Sequence, residues 1–132
     1  MKKLLLLSVI SLLLFAAAAD AAFAQKAQRI TFKRGAKQAV VSGTLYSYKG
    51  QRVYVIRVRA GQILKTGQVG EGHAITIAVL DPHGEIAADS DASCNNRKQT
   101  EETMAGDYKI IVSECSKVDE WRGTFKFKVR VE

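Results

Sequence analysis

The sequence predicts an all-β fold, a single antiparallel β-sandwich of about seven or eight strands, and three observations carry that prediction. Apolar and polar residues alternate at the period of an extended strand in Tyr54-Val55-Ile56-Arg57-Val58, in Tyr108-Lys109-Ile110-Ile111-Val112 and, most regularly, in Phe125-Lys126-Phe127-Lys128-Val129-Arg130-Val131. Turn residues punctuate the chain at short intervals. Examples are Ser47-Tyr48-Lys49-Gly50, Gly70-Glu71-Gly72 and Asp81-Pro82-His83-Gly84, where proline presets φ and glycine accepts turn dihedrals. Beyond the first 24 residues, no segment carries a convincing helical pattern.

Taken in order, Arg29 to Lys33 reads as a short first strand, and Lys37 to Tyr46 as a second that ends at the turn closed by Gly50. Arg52 to Arg59 follows, with Tyr54, Ile56 and Val58 on its core face. Arg57 and Arg59 lie on the other face, a placement that shields an edge strand from pairing. Gln62 to Val69 runs up to the glycine break, and Ala74 to Asp81 is apolar and β-branched until proline stops it. After a polar loop around Cys94, Gln99 to Met104 is a candidate strand. Asp107 to Glu114 turns Tyr108, Ile110 and Val112 inward, and Thr124 to Glu132 closes the domain with Phe125, Phe127, Val129 and Val131 facing in. No internal repeat, low-complexity tract or linker divides the chain, so a single domain is expected.

The N-terminus has a different character. Lys2 and Lys3 precede an apolar run from Leu4 through Phe15, an alanine tract and Ala22-Phe23-Ala24, the layout of a secretory signal peptide with its cleavage site. Residues 1–24 are therefore expected to be the signal peptide and residues 25–132 the domain. An uncleaved anchor is the weaker alternative, because Ser8, Ser11 and Asp20 interrupt a run shorter than the ~20 apolar residues that a spanning helix needs. A periplasmic or secreted location follows, with no stable membrane span after cleavage. Export also moves Cys94 and Cys115 into an oxidising compartment, where two cysteines in a small domain most simply form one disulfide. Such a staple contributes about 3 kcal/mol on the chain-entropy estimate. Two buried free thiols are the alternative, and a four-ligand zinc site lacks the ligands.

Little in the chain points to chemistry. The two histidines, His73 and His83, sit in turn contexts with no serine motif of the nucleophile-elbow kind, so neither catalytic residues nor a cofactor is expected. Asp81, Glu85, Asp89 and Asp91 could offer oxygen ligands to calcium, yet the segment lacks the glycine and distal glutamate of an EF-hand loop. A solvated acidic loop is the preferred reading, and no metal is expected. Charge is more informative. From Gln25 to Gly70 there are ten basic residues and no acid, whereas from Glu71 onward eight basic residues face twelve acidic ones. Such a basic half steers acidic partners, for example a carboxylate-lined enzyme cleft or an anionic glycan. Nucleic acid is a poor fit, since Tyr46 and Tyr48 alone make no stacking platform in a recognised module.

The order Ile30-x-Phe32-x-x-Gly35, Val41-Ser42-Gly43-Thr44-Leu45, Tyr54 through Ala60-Gly61-Gln62, Leu80-Asp81-Pro82-x-Gly84 and Ala105-Gly106-Asp107-Tyr108-x-Ile110-x-Val112 resembles the bacterial pre-peptidase C-terminal type of β-sandwich. Within that group, the single-domain, signal-bearing form is similar to periplasmic inhibitors of g-type lysozyme. The resemblance implies an exported, non-catalytic, monomeric binding protein that blocks an acidic glycosidase cleft with surface loops. It points to two segments. Tyr46 to Arg52 holds Tyr46, Tyr48, Lys49 and Arg52, residue types favoured at interface anchors. Ser113 to Arg122 holds Ser116, Lys117, Trp121 and Arg122, with the single arginine Arg122 where the family pattern has a pair. Trp121 either projects as an anchor or folds over the sandwich end beside Cys115, and the sequence leaves both open. The other implied role is an envelope module that binds polysaccharide or protein without inhibitor activity.

Overall fold

The computed structural model describes residues 26–47, 50–88, 94–115 and 121–132. The expected signal peptide lies outside the described residues. Eight strands are formed: β1 (Gln28–Arg29), β2 (Gln38–Leu45), β3 (Gln51–Val58), β4 (Leu64–Gln68), β5 (Ile75–Leu80), β6 (Arg97–Gln99), β7 (Gly106–Glu114) and β8 (Gly123–Val131). They build two four-stranded sheets of order β1-β3-β7-β5 and β2-β8-β4-β6. Odd-numbered strands make one sheet and even-numbered strands the other. Every connection therefore crosses between sheets, and no strand pairs with its neighbour in sequence.

The core lies between the sheets and is built from the alternating residues read in the sequence. Tyr54, Ile56 and Val58 of β3 and Tyr108, Ile110 and Val112 of β7 are buried from one side. Phe125, Phe127, Val129 and Val131 of β8 are buried from the other. Aromatic contacts join the two layers edge to face: the Tyr54 ring centroid lies 5.2 Å from Phe127 and 6.5 Å from Phe125. Gly43 of β2 sits opposite Tyr54 because a Cβ at that position would fall on the Tyr54 hydroxyl and lie 2.5 Å from Cζ of Phe125.

Three expectations are corrected. The first strand covers Gln28–Arg29, earlier and shorter than Arg29 to Lys33, and it pairs parallel to β3 in a sandwich whose other ladders are antiparallel. After Ile30 donates to the Val55 carbonyl, the chain turns through Lys33–Ala36 with Gly35 at φ 79°, and so crosses to the other sheet. The candidate strand Gln99 to Met104 is instead β6 at Arg97–Gln99. Beyond it, threonine side chains reinforce the backbone bonds that Thr100 and Thr103 donate to the Leu64 and Gln62 carbonyls. Thr100 Oγ1 accepts the Leu64 N–H, and Thr103 Oγ1 accepts the Gln62 N–H and donates to the Arg59 carbonyl at 2.6 Å. Finally, β3 is flanked by β1 and β7, so it is not an edge strand. Arg57 instead approaches Asp107 at 3.9 Å, and Arg59 lies past the strand end, where its N–H meets Gln62 Oε1.

Candidate binding site at one end of the sandwich

The β2–β3, β4–β5 and β7–β8 connections gather at the same end of the molecule. Register fixes this, since Leu45 pairs with Gly123 in one sheet while Gln51 pairs with Ser113 and Ile75 with Glu114 in the other. The two segments singled out from the sequence thus share one end. Tyr46 and Arg122 continue directly beyond the Leu45–Gly123 pair, and both are exposed, Tyr46 to 75%. The turn after Tyr46 is closed by the Gly50 N–H donating to the Ser47 carbonyl at 2.9 Å. Tyr48, Lys49, Ser116 and Lys117 lie outside the described residues.

Beneath the loops, a polar framework ties the two sheets together. The Cys94–Cys115 disulfide joins the segment before β6 to the residue that follows β7. Thr76 braces it, accepting the Cys94 N–H at 3.0 Å and donating to the Glu114 carbonyl at 3.2 Å. Gln68 at the end of β4 bridges to the start of β5. Its Nε2 donates to the His73 carbonyl at 2.8 Å, while Oε1 accepts from the Ile75 N–H and from Asn96 Nδ2. This end is consequently held by side-chain bonds where the ladders stop.

Trp121 takes the folded-down alternative. Its backbone N–H donates to Glu114 Oε2 at 3.0 Å, and its indole stacks on His73 with ring centroids 5.2 Å apart and an 18° interplanar angle. It is buried, and its Nε1 has no hydrogen-bond partner among the described residues. Its neighbour Arg122 is exposed. Arg52 belongs to the inward-facing series of Tyr54 and Ile56, and is half-buried at the strand end. Burial raises the pKa of the Tyr54 hydroxyl, and polar interaction with the nearby Arg52 guanidinium, together with its positive charge, offsets part of that rise.

Sequence reading missed Gln68, His73 and Glu114. Glu114 was detectable, because it shares the parity of Tyr108, Ile110 and Val112 and so had to reach toward the sandwich end. The acidic segment offers a partial view. Asp81 Oδ1 accepts the N–H groups of His83 and Glu85 and so closes its own turn, while Asp89 and Asp91 lie outside the described residues. Among the described residues, no group of three or more His, Cys, Asp or Glu side chains could hold a metal ion.

By sequence, the chain matches no protein-family model and no curated protein. By structure, it is similar to PliG of Aeromonas hydrophila, a periplasmic lysozyme inhibitor of g-type lysozyme, with a TM-score of 0.62 at 19% identity over 83% of this chain and 100% of that one. PliG of Salmonella Typhimurium, also a periplasmic inhibitor of g-type lysozyme, gives 0.58 at 15% identity over 83% and 100%. The pre-peptidase C-terminal domain of a Bacillus anthracis collagenase gives 0.54 at 17% identity over 83% of this chain and 97% of that domain. In fold, the chain is thus a two-sheet sandwich of the kind shared by g-type lysozyme inhibitors and pre-peptidase C-terminal domains.

Proposed function

We propose that the protein is an exported, non-catalytic, monomeric inhibitor of a g-type lysozyme, acting in the periplasm or after secretion, without a cofactor. Its loop end enters the acidic glycosidase cleft. Lys117 and Arg122 pair with the catalytic carboxylates through charge-assisted hydrogen bonds, and Ser116 adds a hydroxyl contact. Tyr46, Tyr48, Lys49 and Arg52 support them from the neighbouring loop, while buried Trp121 holds Arg122 in place. The observation that carries this reading is the convergence of both loop segments on one end of a fold shared with g-type lysozyme inhibitors.

Adding the purified protein in excess to g-type lysozyme should suppress lysis of cell-wall substrate; undiminished lysis overturns the proposal. Arg122→Glu should weaken inhibition by more than about tenfold, as expected for an inverted charge at a close ion pair. Its melting midpoint should stay near that of the wild type, since the side chain is exposed. Likeness to the collagenase domain supports a second reading, a module that binds envelope polysaccharide or protein without inhibiting lysozyme. Retention on peptidoglycan with no lysozyme complex would favour that reading.

A further inference from the structure

The outer face of the β2-β8-β4-β6 sheet is basic. Lys126, Lys128 and Arg130 stand at alternate positions of β8, and register places Lys65 beside Arg130, with Gly67 between Lys128 on one side and Arg97 on the other. With alternate residues about 7 Å apart and adjacent strands about 5 Å apart, the five cations fall within a patch of roughly 14 by 10 Å. The acid at its margin, Glu132, bonds Lys65 Nζ at 2.9 Å and Arg130 Nε at 2.7 Å. Arg97, Lys126 and Lys128 have no ion-pair partner among the described residues.

At the centre, Gly67 opens a depression of about 280 Å³ lined by Lys65, Gln68, Arg97, Lys128 and Arg130. Its lack of a side chain is required neither by backbone conformation nor by crowding, since a Cβ there would make ordinary contact with Cγ of Arg97 at 3.5 Å. Glycine inside a strand weakens the strand and often marks the close approach of another molecule. The Glu132 carboxylate, clasped between Lys65 and Arg130, shows which group the surrounding cations accept.

We propose that this face binds a linear polysaccharide bearing carboxylate groups, with one carboxylate seated over Gly67 between Arg97 and Lys128 and its neighbours lying along the β8 cations. A bilayer surface is too flat to use the depression. Nor, among the described residues, does the face carry an aromatic ring on which a nucleobase or a neutral sugar could stack, so recognition runs through charge. The proposal stands apart from the lysozyme reading, whose loop end contains none of these cations, and it gives the polysaccharide-binding reading a surface and a ligand class.

Titrating fluorescein-labelled oligogalacturonate against the full protein tests it, with neutral dextran and phosphatidylglycerol vesicles as comparison probes. The expected result is saturable binding to oligogalacturonate that weakens as salt rises, with none to dextran. Lys128→Glu and Arg97→Glu should each lower affinity at least about tenfold, whereas Arg34→Glu, the same charge change in the exposed turn before β2, should lower it less than about twofold. Gly67→Val fills the depression without altering charge and should cost at least about fivefold, with Gly67→Ser as the substitute if the valine variant fails to fold. Wild-type affinity in the folded Gly67 variant, an Arg34→Glu loss as large as that of Lys128→Glu, or tighter binding to vesicles than to the oligosaccharide overturns the proposal. Because Arg122→Glu reads on lysis and Gly67→Val on oligogalacturonate, the two proposals fail separately.

Discussion

Tyr54 shows how a residue legible from period alone acquires constraints that the period does not reveal. Its ring is fully buried against Phe125 and Phe127, but its hydroxyl has no well-formed hydrogen bond among the described residues, only the neighbouring charge of Arg52, and burial pushes its pKa up. A buried, unsatisfied hydroxyl costs about 1–3 kcal/mol, so Tyr54→Phe should be neutral or stabilising by up to about 1 kcal/mol. Gly43→Ala should go the other way. The added methyl falls on that hydroxyl and on Cζ of Phe125, and overpacking of this kind costs about 1–3 kcal/mol. In the Tyr54→Phe background the penalty should shrink, because one of the two obstructing groups is gone. Urea unfolding of the two single variants and the double variant measures all three effects, and strictly additive values would show that the hydroxyl and the glycine are not coupled.

The strands themselves were largely legible. β2, β3, β5, β7 and β8 fall within a few residues of their expected bounds, because one-sided burial imposes alternation on β3, β7 and β8, and turn residues bound β2 and the largely apolar β5. The short strands were misplaced for a local reason: β1 and β6 are each anchored by few ladder bonds, and their extent is set by a glycine turn in one case and by Thr100 and Thr103 in the other. Sheet partition was not legible at all. Alternation states which face of a strand is buried but not which strand lies beside it, and here no two consecutive strands are partners. Of the candidate site, the sequence located the two loop segments, in which Tyr46 and Arg122 are exposed, while Trp121 turned inward because Glu114 and His73 offer it a bond and a stacking partner. The Cys94–Cys115 bridge spans 21 residues and ties the segment before β6 to the end of β7. Its removal should lower stability by about 3 kcal/mol. Comparing melts of the native protein and the Cys94→Ala/Cys115→Ala variant checks this, and equal midpoints would show that the sandwich end needs no covalent tie.

At the scale of the whole molecule, the alternation of strands between sheets also decides what becomes of the charge. The basic first half contributes β1 to β4 and the second half β5 to β8; in one sheet the two halves meet at the β3–β7 seam, whereas in the other β8 stands between β2 and β4 and adds Lys126, Lys128 and Arg130 to Lys65, so cations of both halves gather on that outer face. Asp107 of β7 takes both terminal nitrogens of Arg29 from β1, at 3.1 and 3.0 Å, across the intervening β3 and its Arg57. Lys65 and Glu132 make the equivalent link on the other sheet. Hydrogen bonding to Arg29 holds the Asp107 carboxyl below its ordinary range, and Lys65 does the same for Glu132. Because both folded-state pKa values are lowered, the unfolded chain takes up these protons first as acid is added. The stabilisation is therefore complete above the ordinary carboxylate range and is lost as pH falls through the lowered values. Melting midpoints should be level near neutrality and decline below about pH 4–5, and added salt should shrink the decline because solvent reaches all four groups. Asp107→Asn should flatten this acid limb and, at neutral pH, speed hydrogen exchange at the Ile30 amide, which holds β1 to β3 through the Val55 carbonyl. An acid limb unchanged in the variant, with Ile30 equally protected, would mean that the Arg29–Asp107 pair contributes nothing to holding β1 on the sheet.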